Sequence, residues 1–201
     1  MCAFEMMAMS KTRQTLIEVA RQLFAQKGIE NTTMNDIAKA SNKSRRTLYT
    51  YFKSKQDIYN AVIQSELENL YLQLEEVIKR KLPADDKLMI FFFTRLEAIK
   101  DVVTRNGTLR ADFFRDIWRV EYVRKEFDRK EIAYLQDILE EGVRTKIFEI
   151  TDIPKTAQIL HYALKGLEVP VIRGVFGLNI NNKSDRDTII NLIFRGLYRE
   201  R

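Results

Sequence analysis

Between Thr33 and Phe52 the sequence has room for only two short helices with a sharp turn between them, and nothing else in the chain limits the fold so tightly. Thr33 stands where an N-cap would, with Asp36 three residues later, and Ile37 and Ala38 follow on the side to be buried. Ser41-Asn42 interrupts this helix after about two turns, because asparagine tolerates the left-handed backbone of a tight turn. Ser44 then caps a second helix through about Phe52, and Leu48 and Phe52, four apart, share one face. Upstream, Leu16, Ile17, Ala20, Leu23 and Phe24 form an apolar stripe at helical spacing that Gly28 closes. Downstream, Ser54 and Asp57 make another capping box and open a long helix from Lys55 toward Lys81. Two short helices joined by a turn of about three or four residues are a helix-turn-helix.

Charge gives the motif its direction. The formal net charge is +6, with ten of the 34 cations and five of the 28 anions in residues 1–57, which leaves 24 against 23 elsewhere. Nearly all the surplus sits in the first quarter, as expected of a small polyanion-binding unit on a nearly neutral body. In a helix-turn-helix the first residues of the second helix enter the major groove of DNA while the first helix crosses the backbone. Here those residues are Lys43, Ser44, Arg45, Arg46 and Thr47. Each arginine can grip guanine O6 and N7 with two hydrogen bonds. Tyr49 and Thr50 are placed for bases, thymine methyls or phosphates, and Tyr51, Lys55 and Thr33 with its helix-end amides for phosphate.

The same residues resemble a known family. TLIEVARQLFAQKGIENTTMNDIAKA followed by RRTLYTYFKSK is similar to the DNA-binding head of the TetR family of transcriptional regulators, over about residues 11–63. The most specific part is the LYxYFxSK string from Leu48 to Lys55, preceded at fixed distance by Ile37-Ala38 and by Ala20, Phe24 and Gly28. The turn departs from the family pattern: Ser41-Asn42-Lys43-Ser44 stands where Ala-Gly-Val-Ser is usual, and Arg46 replaces a small residue. The resemblance implies a ligand-responsive homodimer on a palindromic operator, more often a repressor, whose last two helices form a four-helix interface with their symmetry mates.

Beyond the head, the residues independently support an all-α fold. Only 7 Gly and 3 Pro occur in 201 residues. Pro83 ends the long helix and Asp85-Asp86 open the next; Arg110 to Arg119 is amphipathic and aromatic; a further helix spans Glu126 to Phe148. Asp152 caps a segment with Pro154 in its first turn and a kink expected at Pro170, and Ser184 with Asp187 caps the last helix. The expected organisation is an irregular tail over 1–10, a helix-turn-helix head over 11–57 and a helical effector-binding and dimerisation domain over 58–201. Candidate dimer residues on the two apolar final helices are Leu160, Leu164, Leu167, Val171, Ile190, Phe194 and Leu197. Candidate effector contacts are Trp118, Tyr122, Tyr134, His161 and Tyr162, whose polar tips want partners when buried, and the effector expected of them is a small apolar or aromatic molecule.

Several classes are set aside. The single Cys2 and single His161 make no Cys/His metal cluster, no catalytic constellation stands out and no GxxxxGK[ST] loop occurs, so no enzyme, metal or cofactor is expected. The longest strictly apolar run, Leu88 to Phe93, is far short of the roughly 20 residues of a membrane span, and residues 1–10 lack the basic start of a signal peptide. A reducing cytoplasm is the expected compartment. Two other readings remain: an architectural DNA-binding protein without an inducer, and, well below it, a basic helical protein docked on anionic membranes.

Overall fold

The computed structural model describes the backbone of residues 3–105, 117–173 and 182–198, and side chains within residues 11–101, 125–168, 170–171 and 182–198. Among these residues there are eight α-helices and no strand. They are α1 (Ala3–Lys27), α2 (Met34–Ala40), α3 (Arg45–Tyr51), α4 (Lys55–Ile78), α5 (Ala84–Arg105), α6 (Ile117–Arg144), α7 (Ile153–Arg173) and α8 (Lys183–Phe194), with a 3-10 turn over Arg195–Leu197. The backbone is helical from Ala3, where an irregular tail over 1–10 was expected. The chain divides into two compact units, residues 1–67 with 102–123 and residues 68–101 with 124–201.

The first unit is a three-helix head closed by the start of α4. Leu16, Ile17, Ala20 and Phe24 of α1 meet Ile37 and Ala38 of α2, Leu48 of α3 and the adjoining Phe52, with Ile58, Tyr59 and Val62 of α4, all buried. Phe24 lies edge-on to Tyr59, with ring centroids 6.2 Å apart. Gly28, at φ 82°, ends α1 as expected, its N–H donating to the Phe24 carbonyl over 2.9 Å.

The second unit buries one side of each of its helices. Leu70, Leu74 and Val77 from α4, Leu88, Phe91, Phe92 and Phe93 from α5, and Leu135, Ile138 and Leu139 from α6 share this core with Leu160 and Leu164 of α7 and Phe194 of α8. Phe92 and Phe194 meet edge-to-face at 5.2 Å. At the end of α6, Lys146 takes the left-handed conformation (φ 63°), and a Cβ on Gly142 would stand 2.0 Å from the Phe148 ring. Phe148 therefore packs flat on the helix backbone, where it pairs with Tyr198 and Glu149 N–H donates to the Leu197 carbonyl at 3.0 Å.

Three details of the last helices differ from expectation or extend it. Asp152 caps α7, accepting from Lys155 N–H at 3.0 Å. α7 runs on through Pro170 to Arg173. The cap of α8 is Asn182, whose side chain accepts from Ser184 N–H at 2.8 Å, so Ser184 lies inside the helix instead of starting it. The aromatic stretch of residues 110–116 lies outside the described residues.

Candidate nucleic-acid interface

The head's geometry follows from three caps. Thr33 accepts the Asp36 N–H at 3.1 Å, and Asp36 in return accepts the Thr33 N–H at 2.9 Å and its hydroxyl at 2.7 Å. Those hydrogen bonds hold the Asp36 carboxyl below its ordinary pKa. Ser44 accepts the Thr47 N–H at 3.0 Å and starts α3. Ser54 and Asp57 repeat the reciprocal box at α4.

Between α2 and α3 the chain reverses through Asn42, at φ 53°. Lys43 N–H donates to the Ala38 carbonyl at 3.0 Å and Asn42 N–H to the Lys39 carbonyl at 3.1 Å. This is a complete Schellman arrangement with asparagine in the position glycine usually takes. It also answers the departure at Lys43: that side chain is exposed, and the buried side chain of the turn is Ser41, whose hydroxyl donates to the Ala38 carbonyl.

The caps and turn set α3 with Leu48 inward and Arg45, Arg46, Tyr49 and Thr50 outward. Positions 45, 46, 49 and 50 make one continuous face, because residues three and four apart are neighbours on a helix. Lys43 and Ser44 are exposed beside it, and Thr47 and Tyr51 are half-buried at its edges. Among the described residues no ion pair joins Lys43, Arg45 or Arg46 to an anion, so this face presents uncompensated positive charge at a helix start. Two expected phosphate contacts are engaged within the head. Lys55 Nζ reaches back to the Ile29 carbonyl at 2.6 Å, tying the start of α4 to the loop after α1, and the Thr33 hydroxyl serves its capping box. Arg13 lies over the Phe52 ring at 5.4 Å, a contact the sequence did not single out.

Of the effector candidates, His161 and Tyr162 are in edge contact, with ring centroids 5.2 Å apart. The Trp118 and Tyr122 side chains lie outside the described residues. Tyr134 is half-buried and stacks on Tyr71 at 5.2 Å; burial and its hydrogen bond with Tyr71 raise its pKa. Tyr162 is 66% exposed, whereas His161 is 1% exposed and packed among charges. Most of the dimer candidates are turned inward. Leu160, Leu164, Val171, Phe194 and Leu197 are buried in the chain's own core, and Leu167 and Ile190 are half-buried. The large apolar side chains that do face solvent on α7 and α8 are Ile159 (61% exposed), Tyr162 and Leu192 (83%). Both helices are apolar around much of their circumference, so periodicity alone could not say which stripe faces inward.

Sequence reading missed a charged network inside the body. Arg95, fully buried on α5, donates from Nε to Glu131 Oε2 at 3.0 Å and from Nη2 to Glu168 Oε1. Burial alone would lower the guanidinium's pKa, but the two carboxylates raise it, so the arginine stays charged. Burial likewise pushes Glu131 up, and the Arg95 charge with the neighbouring imidazole brings it below its ordinary value. The signal was present in the sequence: Leu88, Phe91, Phe92, Arg95 and Ile99 fall on one helical stripe, and Arg95 is its only charge.

An all-helical chain whose capped, basic reading helix projects from a compact three-helix head is a helix-turn-helix DNA-binding transcriptional regulator. Residues 16–62 match the family model described as bacterial regulatory proteins, tetR family. Over those residues the chain is similar to the DNA-binding head of that family. It is 26% identical over 148 residues to the uncharacterized HTH-type transcriptional regulator YhgD of Bacillus subtilis, across 74% of this chain and 78% of that one. It is 50% identical over 50 residues to the probable acrEF/envCD operon repressor of Escherichia coli K12, a match spanning 25% of this chain and 23% of that relative. Among solved structures, a transcriptional regulator from Cytophaga hutchinsonii superimposes with a TM-score of 0.72, covering 92% of this chain and 98% of its own at 22% identity, a likeness of fold. No helix among the described residues is long and apolar enough to cross a membrane.

Proposed function

We propose that the chain represses transcription as a homodimer on a palindromic operator and is released by a small molecule bound in its helical body. The observation that carries the DNA reading is the exposed Arg45–Arg46 pair at the capped start of α3, with no anion of the head beside it. Lys43, Ser44 and Thr47 flank the pair at the groove edge, Tyr49 and Thr50 extend the same face, and Tyr51 lies at its margin. Thr33 and Lys55 act mainly by holding the helices that present it. Two such heads in a symmetric dimer read successive major-groove faces about 34–36 Å apart.

Dimerisation is assigned to α7 and α8 through Ile159, Tyr162 and Leu192. Three large apolar side chains this exposed on two consecutive helices want a cover, and a self-complementary patch gives a closed two-fold pair. An effector that binds one conformation of the body and an operator that binds another oppose each other by linkage.

The test is fluorescence anisotropy with labelled DNA from the chain's own upstream region, beside a scrambled duplex, across a range of salt. Tight binding of the native duplex alone, with two chains per duplex, is expected. Equal and steeply salt-dependent binding of both would reduce the interaction to phosphate attraction and favour an architectural role.

A further inference from the structure

We propose that Asp128, Glu131 and His161 form a binding site for a zinc-type divalent metal ion inside the helical body. Asp128 and Glu131 lie three apart on α6, and His161 faces them from α7. One donor atom from each residue lies within 4.8 Å of the others. Three atoms here are buried without a hydrogen-bond partner: Asp128 Oδ1, Glu131 Oε1 and His161 Nδ1. Glu131 and His161 are each only 1% exposed. Buried polar atoms are nearly always satisfied, and a cation held by the two carboxylate oxygens and the imidazole in its Nε2–H tautomer would satisfy all three.

The arrangement of the cluster fits a metal ligand set. Each carboxylate is held to a cation by its far oxygen: Glu131 Oε2 by Arg95 Nε at 3.0 Å, and Asp128 Oδ2 by Lys165 Nζ at 2.8 Å. The near oxygens are thereby turned toward the histidine, as outer partners turn metal ligands. His161 Nδ1 stands 3.3 Å from Glu131 Oε1. Two ligands of a tetrahedral ion with bonds of about 2.0–2.2 Å are separated by about 3.3–3.6 Å. Asp128 Oδ1 lies 3.7 Å from the other ring nitrogen, Nε2, and would join Glu131 on an ion at Nδ1 by turning its part-exposed side chain. One imidazole with two carboxylates suits zinc and its first-row neighbours, whereas calcium and magnesium prefer oxygen alone. Three protein ligands leave a fourth position open to an exchangeable molecule.

His161 is the only histidine, which makes the site easy to report on. The experiment takes the full chain, untagged and stripped with chelator, and adds zinc, following heat, metal content after gel filtration and the proton resonances of the single imidazole. One zinc per chain is expected, with the imidazole signals shifted and a Cys2→Ser control binding like the parent. Asp128→Asn and His161→Gln should each weaken binding about tenfold or more. No stoichiometric uptake by the folded chain would overturn the proposal and leave the imidazole simply packed between two carboxylates. Uptake with unmoved imidazole signals, or unchanged affinity in Asp128→Asn, would overturn it as well. Should His161→Gln fail to fold, the imidazole signals and Asp128→Asn decide. DNA plays no part in this test, so its failure leaves the operator reading intact.

Discussion

Arg46 and Arg95 are the same residue used in opposite ways. Arg46 stands exposed at the start of α3 with no anion of the head beside it, while Arg95 lies fully buried on α5 between Glu131 and Glu168. A cation in water costs the fold little and remains available to a polyanion. A cation in the core is acceptable only when the same chain supplies its counter-charges, and it then serves the fold. The head thus keeps its charge for a partner, and the body spends its charge internally.

The largest effect should come from breaking the internal pairing. Arg95→Leu removes the buried cation that Glu131 and Glu168 share and should cost about 3–5 kcal/mol of stability in urea denaturation. Arg46→Ala should stay within about 0.5 kcal/mol of the parent, as exposed substitutions do. Equal stability of the two variants would erase the contrast. Next in size, Leu164→Ala should cost about 2–5 kcal/mol because its side chain belongs to the core. Leu192→Glu, at an exposed position of α8, should instead leave the fold intact and convert dimer to monomer in analytical ultracentrifugation. A dimer that tolerates Leu192→Glu and Tyr162→Glu together would move the interface elsewhere.

On the DNA side, Arg45→Ala and Arg46→Ala should each lose about 1–3 kcal/mol of operator discrimination if they read bases. Lys43→Ala should weaken native and scrambled duplexes alike and reduce the salt slope by about one, the signature of a phosphate contact. Reversal of these two patterns would exchange the roles of lysine and arginine without disturbing the fold.

The head was legible because its signals are local. Caps at Thr33, Ser44 and Ser54, the turn at Asn42 and the inward pair Leu48 and Phe52 each act within a few residues, and short-range chemistry survives folding unchanged. The body was legible only as helices. Whether Leu160 or Ile159 faces inward depends on packing partners far away in sequence, and both neighbours are equally apolar. The same holds for His161, whose partners Asp128 and Glu131 lie about thirty residues upstream. Asn182 was passed over in favour of Ser184 because two good capping residues stand close together and only the loop geometry chooses between them.

The smallest predicted effect probes how local those signals are. Thr33→Ala removes the side-chain half of the α2 capping box, together with the hydroxyl's bond to the Asp36 carboxylate, and should cost about 0.5–2 kcal/mol at neutral pH. Part of that loss belongs to Asp36, whose carboxyl the Thr33 hydrogen bonds hold below its ordinary pKa. A carboxylate with a depressed folded pKa stabilises the fold fully above its unfolded value, near about 3.9, and loses that contribution as pH falls through the folded value. The stability gap between parent and Thr33→Ala should therefore be full above about pH 5 and narrow as pH falls below 4. Denaturation curves of both proteins across that window measure the gap directly. A gap that stays constant with pH would assign the loss to the Thr33 hydroxyl's acceptance of the Asp36 N–H alone, with the hydroxyl's own bond to the Asp36 carboxylate contributing nothing.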